Sequence, residues 1–360
     1  MAGLGTPRLV ERGSVQHRVG QLLLFGLFAA IFLWQGLTAE RPGLGLLTDA
    51  IILAIAVTGL NLITGFTGQI SIGHSAFFGL GAYTTAILIE RGWTPGWTFP
   101  VAAVVAFVIG CIVGLPALRL KGIYLALVTL GLAVAFPAML NYKHLSGLTN
   151  GALGIKNLTY LPPEWTPFDG RRDLHRWMFW LAIFIFLVVS VVASNLLRSR
   201  IGRAMIAVRD NETAAAVMGV DRAKIKTIVF GLSAAMTGVA GSLFAVKLTL
   251  VEPAIAQFTL LGAIGFLVAM VIGGTAATWG PLVGALAYTY INDWAKTQGE
   301  ENDIAGLGGV IFGVVLILIA RFAPFGVVGA LRKLRARFVR VVPKLPAVQP
   351  VETVASGDHS

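Results

Sequence analysis

The sequence predicts an all-α, polytopic membrane protein with about ten transmembrane helices and both termini in the cytoplasm. Three observations lead to this prediction. Of the 360 residues, 56% are hydrophobic and only 12% are charged, which is about half the charged share of a soluble domain. Apolar stretches long enough to cross a bilayer recur along the chain. Finally, the basic residues cluster in alternate connections between those stretches.

The apolar stretches define the predicted spans, because a bilayer core needs about 20 apolar residues per helix. The third span is rich in small residues, and the ninth is short and contains Asn292 and Asp293. We interpret the first as an uncleaved anchor, since its apolar run is longer than that of a signal peptide; cleavage would leave nine spans. The ten spans cover residues 19–38, 46–64, 74–89, 98–117, 122–140, 177–197, 226–246, 258–274, 280–294 and 304–322.

The distribution of charge predicts the orientation. With the N-terminus inside, the inside segments hold 19 of the 28 basic and six of the 17 acidic residues. The net charge of +11 thereby divides into +13 inside and −2 outside, as the positive-inside rule requires. The excess of basic residues therefore reflects membrane topology, and no nucleic-acid partner is expected.

The spans also predict the domain organisation. Residues 1–18 form a cytoplasmic N-terminal segment and residues 19–330 a transmembrane permease domain. Within that domain, a cytoplasmic coupling loop covers about 198–226 and an external loop about 141–176. Residues 331–360 form a basic, partly disordered cytoplasmic tail, which we expect to lie against anionic membrane lipid.

The sequence excludes several functions. It contains no nucleotide-binding motif such as GxxxxGK[ST], so this chain is not expected to bind ATP or any other cofactor. A single cysteine, Cys111, and five scattered histidines argue against a metal site. The spans contain almost no charged residues, which argues against a stand-alone ion-coupled transporter. That transporter, a channel and a membrane-embedded enzyme are kept as alternatives.

The inside loop before the seventh span predicts a short amphipathic helix at the cytoplasmic surface, from Arg203 to Met218. Gly219 is placed to end this helix as a C′ glycine. Asp221 can then cap the next helix. Two interpretations are open, a docking helix for a cytoplasmic motor and an ordinary interfacial helix rich in arginine.

The segment from residue 61 to residue 75 carries no Asp, Glu, Lys or Arg and has glycines at positions 65, 68 and 73. Glycine permits a helix to break, and broken helices at membrane depth are tolerated where they are buried or line a cavity. We therefore predict that polar side chains here line or gate a transport path. The alternative is that they cap helices and bond neighbouring backbone. These side chains are Asn61, Gln69, Ser71, His74 and Ser75.

Several stretches between residues 45 and 330 occur in the order typical of one family. They resemble permeases of branched-chain amino acid ATP-binding-cassette (ABC) transporters, and more specifically their LivM-type subunit. The resemblance rests on Asn61–His74, Arg119–Tyr124, Arg209–Glu212 with Ala215 and Gly219, Ser233–Gly241, Gly273–Gly274 with Trp279–Pro281, and Phe322–Gly326.

The resemblance implies a type II ABC importer-like permease in a bacterial plasma membrane, which forms half of the translocation path and is not an enzyme. It implies a homologous LivH-type permease, an extracytoplasmic solute-binding protein and two cytoplasmic ATPase subunits, which use ATP and Mg. Related permeases carry urea and short amides, an alternative substrate class. The residues that the resemblance implies for ATPase coupling are Arg203, Arg209, Asp210, Asn211, Glu212, Ala215 and Gly219.

Overall fold

The computed structural model describes residues 8–11, 30, 34–36, 38, 41–117, 123–156, 158, 160–164, 166–301, 307–322 and 326–342. The chain divides into two units. The larger unit is Gln35–Ala330, and the smaller consists of Met1–Trp34 and Leu331–Ser360. Most of the first predicted span and all of the tail beyond residue 342 lie outside the described residues.

The larger unit consists mainly of helices, which confirms the prediction of a helical, polytopic membrane protein. Four helices are long and apolar enough to cross a membrane, and they cover Arg41–Phe66, Pro95–Leu115, Leu174–Arg198 and Arg222–Leu248 of the described residues. The helices are α1 (Arg41–Leu60), α2 (His74–Glu90), α3 (Pro95–Ala117), α4 (Ile123–Leu140), α5 (Leu174–Arg198), α6 (Arg200–Asp210), α7 (Glu212–Val217), α8 (Arg222–Leu248), α9 (Leu260–Gly273), α10 (Gly280–Glu301), α11 (Leu307–Phe322) and α12 (Gly326–Phe338).

Helix α8 lies at the centre of the larger unit and packs against α1, α2 and α3. Small residues allow this close approach. A Cβ atom on Gly81 of α2 would collide with the backbone of Gly238 of α8, and one on Gly241 would collide with the carbonyl oxygen of Phe78. Helix α1 packs also against α5 and α10, while α9 and α10 pack against each other.

The predicted external loop packs against another connection of the larger unit. After single helical turns at Ser146–Thr149 and Gly151–Leu153, strand β2 (Ile155–Lys156) pairs antiparallel with strand β3 (Leu250–Val251). Ile155 lies opposite Val251 in this pair, and both side chains are buried. The loop is thereby fixed to the connection between α8 and α9.

The smaller unit brings the two ends of the chain together. Strand β1 (Arg8–Glu11) pairs parallel with strand β4 (Val339–Val342), so that Arg8 lies opposite Val339 and Glu11 opposite Val342. The predicted cytoplasmic tail is therefore helix and strand as far as Val342.

Candidate functional site

Helix α1 ends in an interruption where the glycines at 65, 68 and 73 predicted a break. Its last turn widens into a π-helical turn, Asn61–Phe66, and residues 68–73 are not helical. Gly68 adopts a left-handed conformation with φ of +72°, which glycine tolerates without strain. The backbone N–H of Gln69 then donates to the carbonyl oxygen of Ile63 at 3.1 Å, which closes the turn.

Asn61 joins this interruption to the connection between α9 and α10. Its Nδ2 donates to the carbonyl oxygen of Ala277 at 3.0 Å, and its Oδ1 accepts from the N–H of Ala276 at 2.9 Å. The side chain is buried, with 3% exposure. Gly65 makes the approach possible, because a Cβ there would lie 2.6 Å from the nitrogen of Ala276.

His74 begins α2 and forms a buried chain of hydrogen bonds. Ser233 donates to the carbonyl oxygen of Gly59 at 2.6 Å, so its oxygen accepts from Nε2 of His74, also at 2.6 Å. A neutral imidazole that donates from Nε2 accepts at Nδ1, and Ser71 supplies that proton at 3.0 Å. The chain connects α1, the segment before α2, and α8.

Gln69 and Ser75 differ from the other predicted path residues. Both are buried, yet among the described residues the Nε2 of Gln69 and the Oγ of Ser75 have no hydrogen-bond partner. A buried polar atom without a partner carries a desolvation penalty. The amide nitrogen of Gln69 could donate a bond to water or to a solute, and the hydroxyl group of Ser75 could donate or accept one. Of the five predicted residues, Asn61, Ser71 and His74 bond to groups of this chain.

The prediction of a single coupling helix is wrong, because this segment forms two helices. α6 ends at Asp210 and α7 begins at Glu212. Asn211 between them is extended, with φ of −157° and ψ of 104°, and its Oδ1 accepts from the N–H groups of Thr213 and Ala214. Asparagine is favoured at the N-cap of a helix and disfavoured in its interior, because its side-chain oxygen accepts backbone N–H groups. Asn211 therefore starts α7 and does not continue α6.

The two predicted end signals of this region are confirmed. Gly219 has φ of +84°, and its N–H donates to the carbonyl oxygen of Ala216 at 3.0 Å. Asp221 caps α8, since its Oδ1 accepts from the N–H of Lys224 at 3.0 Å. Both are local signals that depend on neighbouring residues only.

Two of the charged residues predicted for coupling, Arg209 and Glu212, contact the apolar helices of the larger unit. Nη1 of Arg209 donates to the carbonyl oxygen of Gly65 at 3.4 Å, and Nη2 lies 2.9 Å from a carboxylate oxygen of Asp210. Glu212 pairs with the buried Lys226 of α8 at 2.5 Å. The helices α6 and α7 are thus attached to both α1 and α8.

The remaining predicted coupling residues have other surroundings. Arg203 donates to the carbonyl oxygen of Arg198 at 3.4 Å, while Ala215 is buried. Sequence reasoning missed that Val217 and Met218 are 82% and 83% exposed. The sequence signal that could have predicted this exposure is their position just before Gly219, the glycine that ends this helical segment.

Several apolar helices are long enough to cross a membrane, and one of them is interrupted next to a helix pair rich in arginine. These features define a polytopic membrane protein. Residues 44–320 match the family model described as "Branched-chain amino acid transport system / permease component". The chain therefore belongs to this family of ABC transporter permeases. No solved structure shows a significant match to it.

Individual relatives agree with the family. The chain is 31% identical over 319 residues to the high-affinity branched-chain amino acid transport system permease protein LivM of Escherichia coli (strain K12), covering 84% of this chain and 73% of the relative. It is 26% identical to a probable LivM of Methanocaldococcus jannaschii (85% and 92% covered). The LivH protein of Escherichia coli (strain K12) is 22% identical (77% and 91% covered).

Proposed function

We propose that this chain forms half of the translocation path of an ABC importer for branched-chain or related amino acids in a bacterial plasma membrane. The observation that carries the proposal is the family match over residues 44–320, together with the similarity to LivM proteins over most of the chain. The other half of the path would be a LivH-type permease. An extracytoplasmic solute-binding protein would deliver the solute.

We infer a topology of ten spans with both termini in the cytoplasm. The charge distribution supports it, and so does the pairing of Arg8–Glu11 with Val339–Val342, which places the two terminal segments together. In this topology α6 and α7 form the coupling loop on the cytoplasmic side. Residues 331–360 would be the cytoplasmic tail, held against anionic lipid.

The coupling segment α6–α7 would dock onto one of two ATPase subunits. Those subunits would use ATP and Mg, and this chain itself would bind no cofactor. Val217 and Met218 offer an exposed apolar contact at the end of α7, and an apolar anchor in a partner's groove is typical of helix docking. Arg203, Asp210 and Asn211 would lie around it. Arg209 and Glu212 would transmit the motion, because both bond to the transmembrane unit.

The interruption after α1 would act as the gate. Asn61, Ser71 and His74 hold it against the α9–α10 connection and α8. Gln69 and Ser75 retain polar groups without partners among the described residues, so they could bond a solute or water as it passes. A bend of this kind is a natural hinge, since a few residues at the end of an element absorb the conformational change.

Reconstitution in proteoliposomes would test this function. The chain is co-expressed with its neighbouring permease, ATPase and binding-protein genes, and ATP-dependent uptake of leucine, isoleucine and valine is compared with uptake of urea and acetamide. We expect ATP-dependent amino-acid uptake only when all subunits are present. Uptake of urea or acetamide alone would identify the related amide permeases, and uptake by this chain alone without ATP would identify a secondary transporter.

A further inference from the structure

A cavity of about 570 Å³ lies between the N-terminal ends of α1 and α5. Because α6 follows the C-terminal end of α5, the cavity is at the opposite end of α5 from the coupling segment. Three arginines line it, Arg41, Arg172 and Arg176, together with His175 and one acid, Asp173. Neither the interruption after α1 nor the coupling segment contributes a residue to the lining.

The charge of this cavity is not balanced by an ion pair among the residues that the structure describes. None of the ion pairs formed among the described residues involves its three arginines. Asp173, the acidic residue among the described lining residues, accepts a hydrogen bond from the backbone N–H of Asp169 at 3.2 Å. With His175 neutral, the lining residues carry a net charge of +2. Three guanidinium groups around one concave space offer up to fifteen N–H donors, about five from each.

The helices add to this positive potential. Both α1 and α5 begin at the cavity, and neither has an acidic residue in its first turn. The N-cap residue of α5 is Asp173, whose side chain does not bond to the backbone N–H groups of that helix. The N-terminal end of a helix carries a partial positive charge and free N–H groups. The cavity is therefore suited to an anion, and guanidinium groups bind the oxygens of a phosphate in pairs.

The surface beside the cavity is apolar. Of the four helices long enough to cross a membrane, α5 is the least buried within this chain. Its exposed large apolar side chains begin about two helical turns after Arg176, at Phe184 with 64% exposure, and continue through Val188 and Val191. The eight steps from Arg176 to Phe184 rise about 12 Å along a helix. The headgroup region of a bilayer is about 5–8 Å thick on each side, so a headgroup at Arg176 places its acyl chains beside Phe184.

We propose that this cavity binds the phosphate of an anionic phospholipid, whose acyl chains lie along the exposed apolar face of α5. On the cytoplasmic side of membranes, basic pockets between transmembrane helices bind anionic phospholipid headgroups. The three arginines offer the same kind of contact at the predicted outer end of α5. The apolar face favours a lipid over an acidic side chain of another protein, which would need the cationic cavity but not the helix surface below it. The predicted outside segments hold only nine basic residues, and three of them line this cavity.

The test is the thermal unfolding midpoint of the purified transporter in detergent, titrated with dioctanoyl phosphatidylglycerol, dioctanoyl phosphatidylcholine or inorganic phosphate. The variants are the double substitution Arg172→Ala with Arg176→Ala, and Arg171→Ala as a control. Arg171 is exposed and does not line the cavity. A third variant, Arg172→Lys with Arg176→Lys, keeps the charge and removes paired hydrogen bonding.

We expect phosphatidylglycerol, but not phosphatidylcholine, to raise the midpoint of the unmodified protein and of Arg171→Ala. The double alanine variant should need at least about tenfold more phosphatidylglycerol for the same shift, and the double lysine variant an intermediate amount. Three results would overturn the proposal. The first is the same lipid dependence in all variants. The second is an equal shift with inorganic phosphate, which would assign the site to a free anion. The third is a double alanine variant that keeps its response to lipid but no longer docks the solute-binding protein, which would assign the cavity to that protein.

Discussion

Arg209, near the end of α6, donates a hydrogen bond to the carbonyl oxygen of Gly65 at 3.4 Å, across 144 positions of the sequence. Gly65 lies in the π-helical turn that interrupts α1. Beside it, a Cβ atom on Gly68 would lie 2.9 Å from Cγ of Arg209. The stem of Arg209 therefore packs against this interruption while its guanidinium group bonds to it, so a displacement of α6 acts directly on the end of α1.

Substitution Arg209→Ala should reduce ATP-driven uptake by about tenfold, which is within the range of typical coupling free energies. It removes both the bond to Gly65 and the packing on Gly68, whereas the exposed surface of α7 is unchanged. We expect the ATPase activity of the assembled transporter to fall much less than uptake. Both rates are measured on the same proteoliposomes.

Arg200→Ala is the matched control for this variant, since Arg200 is an exposed arginine of the same helix. Its uptake should remain near that of the unmodified protein. Equal losses of uptake in Arg200→Ala and Arg209→Ala would mean that the charge of α6 matters, and not its contact with the interruption.

The ion pair between Glu212 and Lys226 predicts a charge-reversal experiment. Lys226 is buried, so Glu212→Lys leaves an unpaired buried ammonium group beside a second one. Removing one partner of a buried pair costs about 3 kcal/mol, and the loss should appear as detachment of α7 from α8. We expect Glu212→Lys to abolish uptake while the protein remains in the membrane.

The double variant Glu212→Lys with Lys226→Glu restores opposite charges at the two positions and should recover part of the uptake. Uptake that stays at the level of the single variant would instead place Glu212 in direct contact with the ATPase, where a reversed charge cannot be rescued from within this chain.

The sequence predicted the local parts of the candidate site and not the contacts between distant segments. The break near Gly65, the end of α7 at Gly219 and the cap at Asp221 depend on neighbouring residues, and all three are present. The bond from Arg209 to Gly65 and those from Asn61 to Ala276 and Ala277 join segments that are 144 to 216 positions apart. Such pairings follow from helix packing, which spacing in one sequence does not encode.

The error at Asn211 has a local cause. Helical spacing of apolar residues continues through this position, so the pattern predicted one helix. The amide side chain of Asn211 accepts two backbone N–H groups, and this local competition outweighs the continuation of α6. The exposure of Val217 and Met218 follows in turn, because α7 begins anew after the extended residue.

Gly219 offers a test of backbone conformation alone. Its φ is +84°, and among the described residues other than its two chain neighbours no atom lies within 4 Å of the position that a Cβ would occupy. Gly219→Val is therefore strained by its backbone and not by a collision, at a cost of about 1–3 kcal/mol. We expect it to loosen the end of α7 and uncouple ATP hydrolysis from uptake, without loss of the protein from the membrane.

Gly219→Asn is the companion variant, because asparagine adopts the left-handed region far more readily than valine. It should retain most of the uptake in the same assay. Normal uptake by Gly219→Val would contradict the role given to this turn.

The chain of hydrogen bonds through His74 predicts that Ser233 contributes to stability. Ser233→Ala removes the acceptor of the His74 Nε2–H and the side-chain bond to the carbonyl oxygen of Gly59, because both groups bond to the Ser233 hydroxyl group. Each buried group left unsatisfied costs about 1–3 kcal/mol. We expect a lower thermal unfolding midpoint in detergent.

Thr58→Val is the control. The Thr58 hydroxyl group donates to the Ala54 carbonyl oxygen of its own helix, so the loss of this group should shift the midpoint little. Equal shifts in the two variants would show that the His74 chain adds nothing beyond one ordinary hydroxyl contact.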